Sequence, residues 1–288
     1  VSLPPPPALL DGPFRGTEAV QRGLLSARQL RHRSWRRLFP DVYVHCDVPV
    51  THELRARAAV VFRPDAVVTG ASAAVLWGVD LAGPEDDVEI TLPPGSHPVR
   101  VGGLRVRREP LPDHWLWRRR GIPTTTPEAA TVSVARHLPL DDGVVVVDQM
   151  VASGKVDLEP VRAAARELTG RGCRRVREAC ALADGLAESP QETRLRLLLV
   201  RSDLPDPVAQ FRVRRGTVFV AKVDFGWPDQ RLAVEYDGLW HAEPRQFGED
   251  RRRLNRIQAA GWRVFFVTAA DLHHPADLLA RLGAALGR

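Results

Sequence analysis

The run from Val220 to His241, VAKVDFGWPDQRLAVEYDGLWH, constrains the fold more than any other stretch, because it sets a glutamate inside an apolar strand pattern. Apolar residues approach Asp224, a Gly-Trp-Pro-Asp turn follows, and Leu232-Ala-Val-Glu-Tyr restores a period of two, which predicts strand, turn, strand. Residues two apart share a strand face, so Glu235 and Asp237 are expected side by side, with Asp224 meeting them when the hairpin closes. A carboxylate within a buried strand needs a metal, an arginine or a proton. These carboxylates and His241 suit a hard divalent cation, magnesium or manganese, and the hydrolysis of a phosphodiester; a structural ion pair is the other reading of Glu235.

The flanking segments extend the pattern. Ser189-Pro-Gln-Glu192 opens an apolar-periodic helix that ends near Ser202; residues 246–260 read as a charged helix, 262–268 as a strand and 276–286 as a last helix. Helix, acid-bearing strands, helix, strand, helix resembles the PD-(D/E)XK nuclease superfamily. Within it, Glu235-Tyr-Asp237-Gly238-Leu-Trp-His241 is similar to the branch related to the very short patch repair endonuclease, as are Asp250-Arg-Arg-Arg253-Leu254 and Gly261-Trp262-Arg-Val. The resemblance spans residues 186–288 and implies a restriction-endonuclease-like α/β domain with a central mixed sheet. It implies that Asp224, Glu235 and Asp237 hold Mg2+ or Mn2+, that His241 shuttles protons and that Glu192 orients water. The superfamily's lysine, two residues after the strand acid, is Asp237 here, and Lys222 or His241 is expected to supply the missing positive charge. Glu192 also completes a capping-box pattern with Ser189 and Pro190, and Asp229 reads as a turn residue.

Net charge is +6 and the sequence pI about 10.0, which predicts a polyanionic partner, DNA. Candidate phosphate contacts are Arg251, Arg252, Arg253 and Arg256 on the charged helix, with Arg36 and Arg37 near the start; a solvated helix face laced by Glu249 and Arg253 is the alternative. The runs Arg118-Arg119-Arg120 and Arg174-Arg175 carry the same two readings. Cys46, Cys173 and Cys180 are odd in number and lack a C-x-x-C pair, which argues against a disulfide framework and predicts a reduced, cytoplasmic location; His45-Cys46 with His52 is not expected to bind zinc. No apolar run reaches transmembrane length, and the start has no signal-peptide pattern.

The remainder reads as an α/β multidomain chain. Residues 1–16 are expected to be a disordered lead, and 17–50 a winged-helix-like segment with helices at 17–22, 26–30 and 34–38 before a strand at 38–44. Leu38-Phe-Pro-Asp41-Val-Tyr-Val44 resembles the N-terminal region of AbiEi-type antitoxins, where Pro-Gly-Val-Tyr is usual and Asp41 here replaces the glycine. Val68-Thr-Gly-Ala-Ser72-Ala-Ala-Val-Leu-Trp-Gly78 is similar to the Ser-Ala-Ala helix of the same family, which places an AbiEi-like α/β region at 51–150. Strands are expected at 89–93 and 104–108, a loop at 121–127 and a helix at 128–136; Asp148 is read as structural, and 151–185 as a helical connector broken at Gly170 to Gly172. The resulting expectation is a magnesium-dependent DNA endonuclease, with RNA as a lesser substrate candidate. The alternative is a non-catalytic DNA-binding regulator of the antitoxin kind, with a toxin-like protein partner and a nuclease fold kept as a platform.

Overall fold

A computed structural model describes residues 5–238 and 244–287, the side chains of 244–247 and 250 excepted. The chain divides into two compact units, one of residues 1–138 with 153–177, the other of residues 139–152 with 178–288. The helix Leu140–Ala152 thus belongs with the C-terminal residues and not with the segment that precedes it.

In the first unit, Phe14–Arg15, Val42–His45 and Trp35–Phe39 form an antiparallel sheet with Val42–His45 in the centre. The helix expected at residues 34–38 is therefore a strand. Trp35 and Phe39, four apart, fit one helix face equally well, but both are buried from a strand that bulges between Arg37 and Phe39. Residues 26–30 hold only a short 3-10 turn, Gln29–Arg31, so the second and third helices of a winged helix are not formed. Asp41 takes φ +59°, the conformation for which glycine is preferred, and its carboxylate accepts from Thr17 N at 2.9 Å and Thr17 Oγ1 at 2.5 Å. The aspartate thus holds the glycine-type turn and ties it to the helix Gly16–Gln21. The expected lead is packed as well: Leu9, on the 3-10 turn Pro7–Leu9, is buried with Ala19, Leu25 and Trp35.

The same unit carries a five-stranded mixed sheet in the order Leu104–Arg108, Val88–Leu92, Val67–Val68, Ile122–Thr125, Leu116–Arg119. Residues 122–125, expected as loop, are a strand because Ile122, Thr124 and Thr125 are buried beside Val68. The helices His52–Phe62 and Gly70–Leu76 cover the sheet with alanines at near-zero exposure, the small side chains permitting close approach. Gly70 sits at φ +58°, where a Cβ would lie 2.2 Å from Glu89 Oε2. Ser72 Oγ accepts from Glu89 N and meets His52 Nε2 at 2.7 Å, while His52 Nδ1 meets the Gly83 carbonyl at 2.8 Å, so both ring nitrogens serve the packing and burial lowers the His52 pKa.

The second unit is a four-stranded mixed sheet in the order Arg263–Val267, Leu232–Tyr236, Val218–Trp227, Val208–Arg215; the first pair is parallel and the others antiparallel. The helices Pro190–Val200 and Pro275–Leu286 contribute Leu195, Leu199, Leu278 and Leu282 to one core with Phe225, Trp227, Leu232 and Val234. Each of those leucines, fully buried, stabilises the unit by about 1.5–3 kcal/mol. The helix Pro244–Ala259 supplies Ile257 to a second core with Val213, Ala221, Val223, Ala233 and Trp262. The expected helices and strands are all present, with two additions: the edge strand Val208–Arg215 and the short helix Ala269–His273.

Candidate functional site

The sheet of the second unit assembles polar residues by register. The pairs Val223–Phe211 and Phe225–Ala209 bracket Gln210 opposite Asp224, and Phe225–Val234 makes Glu235 the next residue across on the other side. Gln210 itself takes φ +50°, an irregular conformation within its strand. A glutamine, an aspartate and a glutamate therefore lie in line across three strands. Glu192 reaches the same line from the first turn of Pro190–Val200, accepting from Gln210 Nε2 at 3.1 Å, Glu188 N at 2.8 Å and Ser189 Oγ at 2.8 Å. Ser189 Oγ in turn accepts from Glu192 N, so Glu192 both secures the helix start and faces the acid cluster.

Asp224 Oδ2 accepts from Tyr236 N at 2.7 Å. Burial pushes its carboxyl up to about 7; the Tyr236 hydrogen bond opposes that rise, the Glu192 and Glu235 charges add to it and Arg253 offsets part of it. Glu235, on the last turn of pleat before the strand ends, accepts from Arg253 NH1 at 2.7 Å. Arg253 NH2 also donates to the Lys222 carbonyl at 2.5 Å, which fixes the guanidinium between two strands. The Glu249–Arg253 helix pair expected from spacing is replaced by this Arg253–Glu235 bridge, because the third turn of Pro244–Ala259 faces the sheet. Two buried oxygens, Glu235 Oε1 and Gln210 Oε1, have no hydrogen-bond partner among the described residues.

The remaining expectations divide. Asp237 is the first residue past the strand Leu232–Tyr236, with its backbone N donating to Val267 O, and it is exposed where Glu235 is half-buried. Asp224, Glu235 and Asp237 do not converge as a metal-binding trio; among the described residues the only such convergence is His45, Cys46 and Asp47. That trio is accounted for by local bonds, Cys46 Sγ to Asp47 Oδ1 at 3.4 Å and His45 Nδ1 to Asp47 Oδ2 at 3.6 Å, and His52 is not part of it. Lys222 donates to Glu188 at 2.5 Å instead of reaching Asp224. His241 lies outside the described residues.

Arg251, Arg252 and Arg256 are exposed on their helix, and Arg36 and Arg37 on Trp35–Phe39, whereas Arg253 is committed to Glu235. Arg119 stacks over Trp77 at 5.0 Å, Arg120 bridges Glu53 and Arg175 donates to Leu138 O, so these three arginines serve the fold. Sequence reasoning missed Gln210 and the inward role of Arg253. The alternation Val208-Ala-Gln-Phe-Arg-Val-Arg was the available signal for the first; for the second, no local pattern distinguishes Arg253 from its neighbours.

Among the described residues no helix is long and apolar enough to cross a membrane. Residues 66–184 match the AbiEi antitoxin C-terminal domain family. Two uncharacterized proteins of Mycobacterium tuberculosis, MT2308 of strain CDC 1551 / Oshkosh and Rv2248 of strain ATCC 25618 / H37Rv, are each 33% identical over 227 residues, covering 77% of this chain and 82% of theirs. The crystal structure of the RV2827C protein from the same organism is a distant likeness, with a TM-score of 0.41 and 20% identity over 69% of this chain and 79% of that one. The chain belongs to the family of these uncharacterized mycobacterial proteins and, over residues 66–184, is similar to the AbiEi antitoxin C-terminal domain.

Proposed function

We propose that this protein is a DNA-binding regulator of the antitoxin kind, with a toxin-like protein as its partner. The AbiEi match over residues 66–184 carries the reading. The excess of positive charge supports it, as do the exposed arginines Arg36, Arg37, Arg252 and Arg256, which are free of the fold's own ion-pair network among the described residues. The acid cluster also fits a binding platform: its nearby cations, Arg253 and Lys222, are spent on Glu235 and Glu188. The expected result is metal-independent binding of a duplex of about 30 base pairs from upstream of the protein's own gene, at least about tenfold tighter than an unrelated duplex and weakening steeply with salt. Equal affinity for both duplexes, measured by fluorescence anisotropy in chelator, would remove the regulator reading.

A second reading, a magnesium- or manganese-dependent endonuclease, is favoured by one observation, the two orphaned oxygens of Glu235 and Gln210. Oxygen donors of this kind suit a hard cation, which Asp224 and Glu235 would hold with Gln210 and which would polarise a phosphodiester oxygen. The helix, sheet and helix order of the second unit supports the restriction-endonuclease-like assignment on which this reading depends. It predicts that supercoiled DNA is nicked with either metal, that chelator stops the reaction, and that Asp224→Ala and Glu235→Ala each lower the rate by about two orders of magnitude or more. Metal-independent products, or products of equal yield from both variants, would rule it out.

A further inference from the structure

The hairpin that leads into Asp224 is built unlike the rest of its unit. The strands Val208–Arg215 and Val218–Trp227 pair up to Val218–Arg215, and their buried side chains stop at Val213 and Ala221; residues 214–219 beyond them are all exposed. From Val208 to Val223 there is no Asp or Glu, while Arg212, Arg214, Arg215 and Lys222 are present. Elsewhere in this unit Arg194, Arg196, Arg201, Arg253 and Arg281 each meet a carboxylate, while Arg252 and Arg256, on an exposed helix face, share the hairpin's lack of one among the described residues. Among the described residues Arg212, Arg214 and Arg215 meet none: Arg212 lies 5.3 Å over the Phe219 ring, and Arg214 donates to the Thr217 carbonyl at 3.0 Å. Beside them two large apolar side chains face water, Val218 at 65% and Phe219 at 50% exposure. The register shift between Phe219 and Ala221 is the kind of bulge that re-aims a side chain.

We propose that this ribbon, with Arg212, Arg214, Arg215 and Phe219, is a duplex-DNA-binding element. The inference rests on the DNA-binding reading above and names the surface that carries it. A protruding two-stranded ribbon fits the major groove of B-form DNA, about 12 Å wide, whereas the deep, narrow major groove of an RNA duplex does not admit it. The arginines neutralise phosphates on the groove walls, and the Arg212–Phe219 pair presents a flat cationic face to the bases or sugars. Phe219 and Asp224 share one strand, and at about 3.4 Å per residue they stand roughly 17 Å apart. A duplex gripped by the ribbon therefore runs alongside the acid cluster.

The test uses the full chain with Arg214→Glu plus Arg215→Glu, and separately Phe219→Ser, all at exposed positions where melting temperature reports any loss of fold. Binding of a fluorescein-labelled DNA duplex is read by anisotropy in chelator over a range of salt, with an RNA duplex of the same sequence and anionic phosphatidylserine vesicles as further arms. The arginine pair is expected to weaken DNA binding by more than about tenfold and to lower the salt slope by about two, and Phe219→Ser to weaken it about threefold or more with the slope unchanged. Full affinity in the arginine variant, with the parent protein still binding DNA, would overturn the ribbon and leave the DNA-binding reading standing. No DNA binding by the parent would remove both. A preference for the RNA duplex or the vesicles would overturn the proposal by giving the ribbon a different partner.

Discussion

Asp148→Ala is expected to destabilise the protein by ~3–5 kcal/mol, the cost of breaking a buried ion pair and leaving its hydrogen-bond donors without an acceptor. Asp148 has no exposed side-chain surface, and its two oxygens accept from Asp184 N at 3.0 Å, Gly185 N at 2.9 Å, Thr193 Oγ1 at 2.9 Å and Arg196 NH2 at 2.8 Å. Thr193 and Arg196, three apart on Pro190–Val200, turn one face of that helix towards Leu140–Ala152, while Leu195 and Leu199 turn another towards the sheet. Alanine at 148 leaves Arg196 NH2, Thr193 Oγ1 and two backbone donors without their acceptor away from water, while Arg196 keeps only the Asp184 carboxylate and the Leu182 carbonyl. Urea denaturation of both proteins measures the difference; a change below about 1 kcal/mol would mean that the cluster is not held by this carboxylate. The double variant Asp148→Leu with Arg196→Met should recover much of the loss, since well-packed apolar substitutes often match a buried pair.

The second large effect is pH-dependent. The Asp224 carboxyl is raised from 3.8 to about 7 in the folded protein, so the native state binds this proton more tightly than the unfolded chain. Its contribution is complete below the unfolded value and is lost as pH rises through the folded one, and ~3 pH units correspond to a fall of ~4 kcal/mol between about pH 4 and pH 8. Asp224→Asn keeps an acceptor for Tyr236 N but carries no charge, so it is expected to be more stable than the parent at pH 8 by a few kcal/mol and nearly equal to it at pH 4. Denaturation curves in chelator at the two pH values decide the matter. Parallel pH profiles for parent and variant would show that Asp224 ionises without strain.

What the sequence made legible was the part fixed by local chemistry. Ser189, Pro190 and the leucine spacing specify Pro190–Val200 without help from the rest of the chain, and the Gly-Trp-Pro-Asp turn specifies the hairpin that follows it. Asp224 and Glu235 come together because register alone brings them there. Where two periods agree with one set of residues, the tertiary partner decides: Trp35 and Phe39 suit a helix or a bulged strand, and the pairing with Val42–His45 selects the strand. Asp237 falls just past its strand and in the open, because alternation says nothing about where a strand ends. Arg253 was read as a solvent-facing phosphate contact because a charged helix shows which residues are ionic but not which one the sheet claims. The AbiEi-like region was legible through Gly70 and Ser72, each doing a backbone task that few other side chains perform.

The passage of the chain from residues 139–152 into the second unit, back to the first at 153–177 and out again has a consequence for how this protein could be divided or inherited. A gene fragment opening at residue 186 would encode Arg196 without Asp148 and Asp184, the carboxylates that neutralise it, and Thr193 without its acceptor. Its counterpart ending there would carry Asp148 on a helix with its apolar valines uncovered. Neither piece holds the whole of the second unit, so division at residue 186 is expected to lower the stability of both products. A single protease cut near residue 186 is expected to leave the two fragments associated through Leu140–Ala152 and Pro190–Val200 until those helices part.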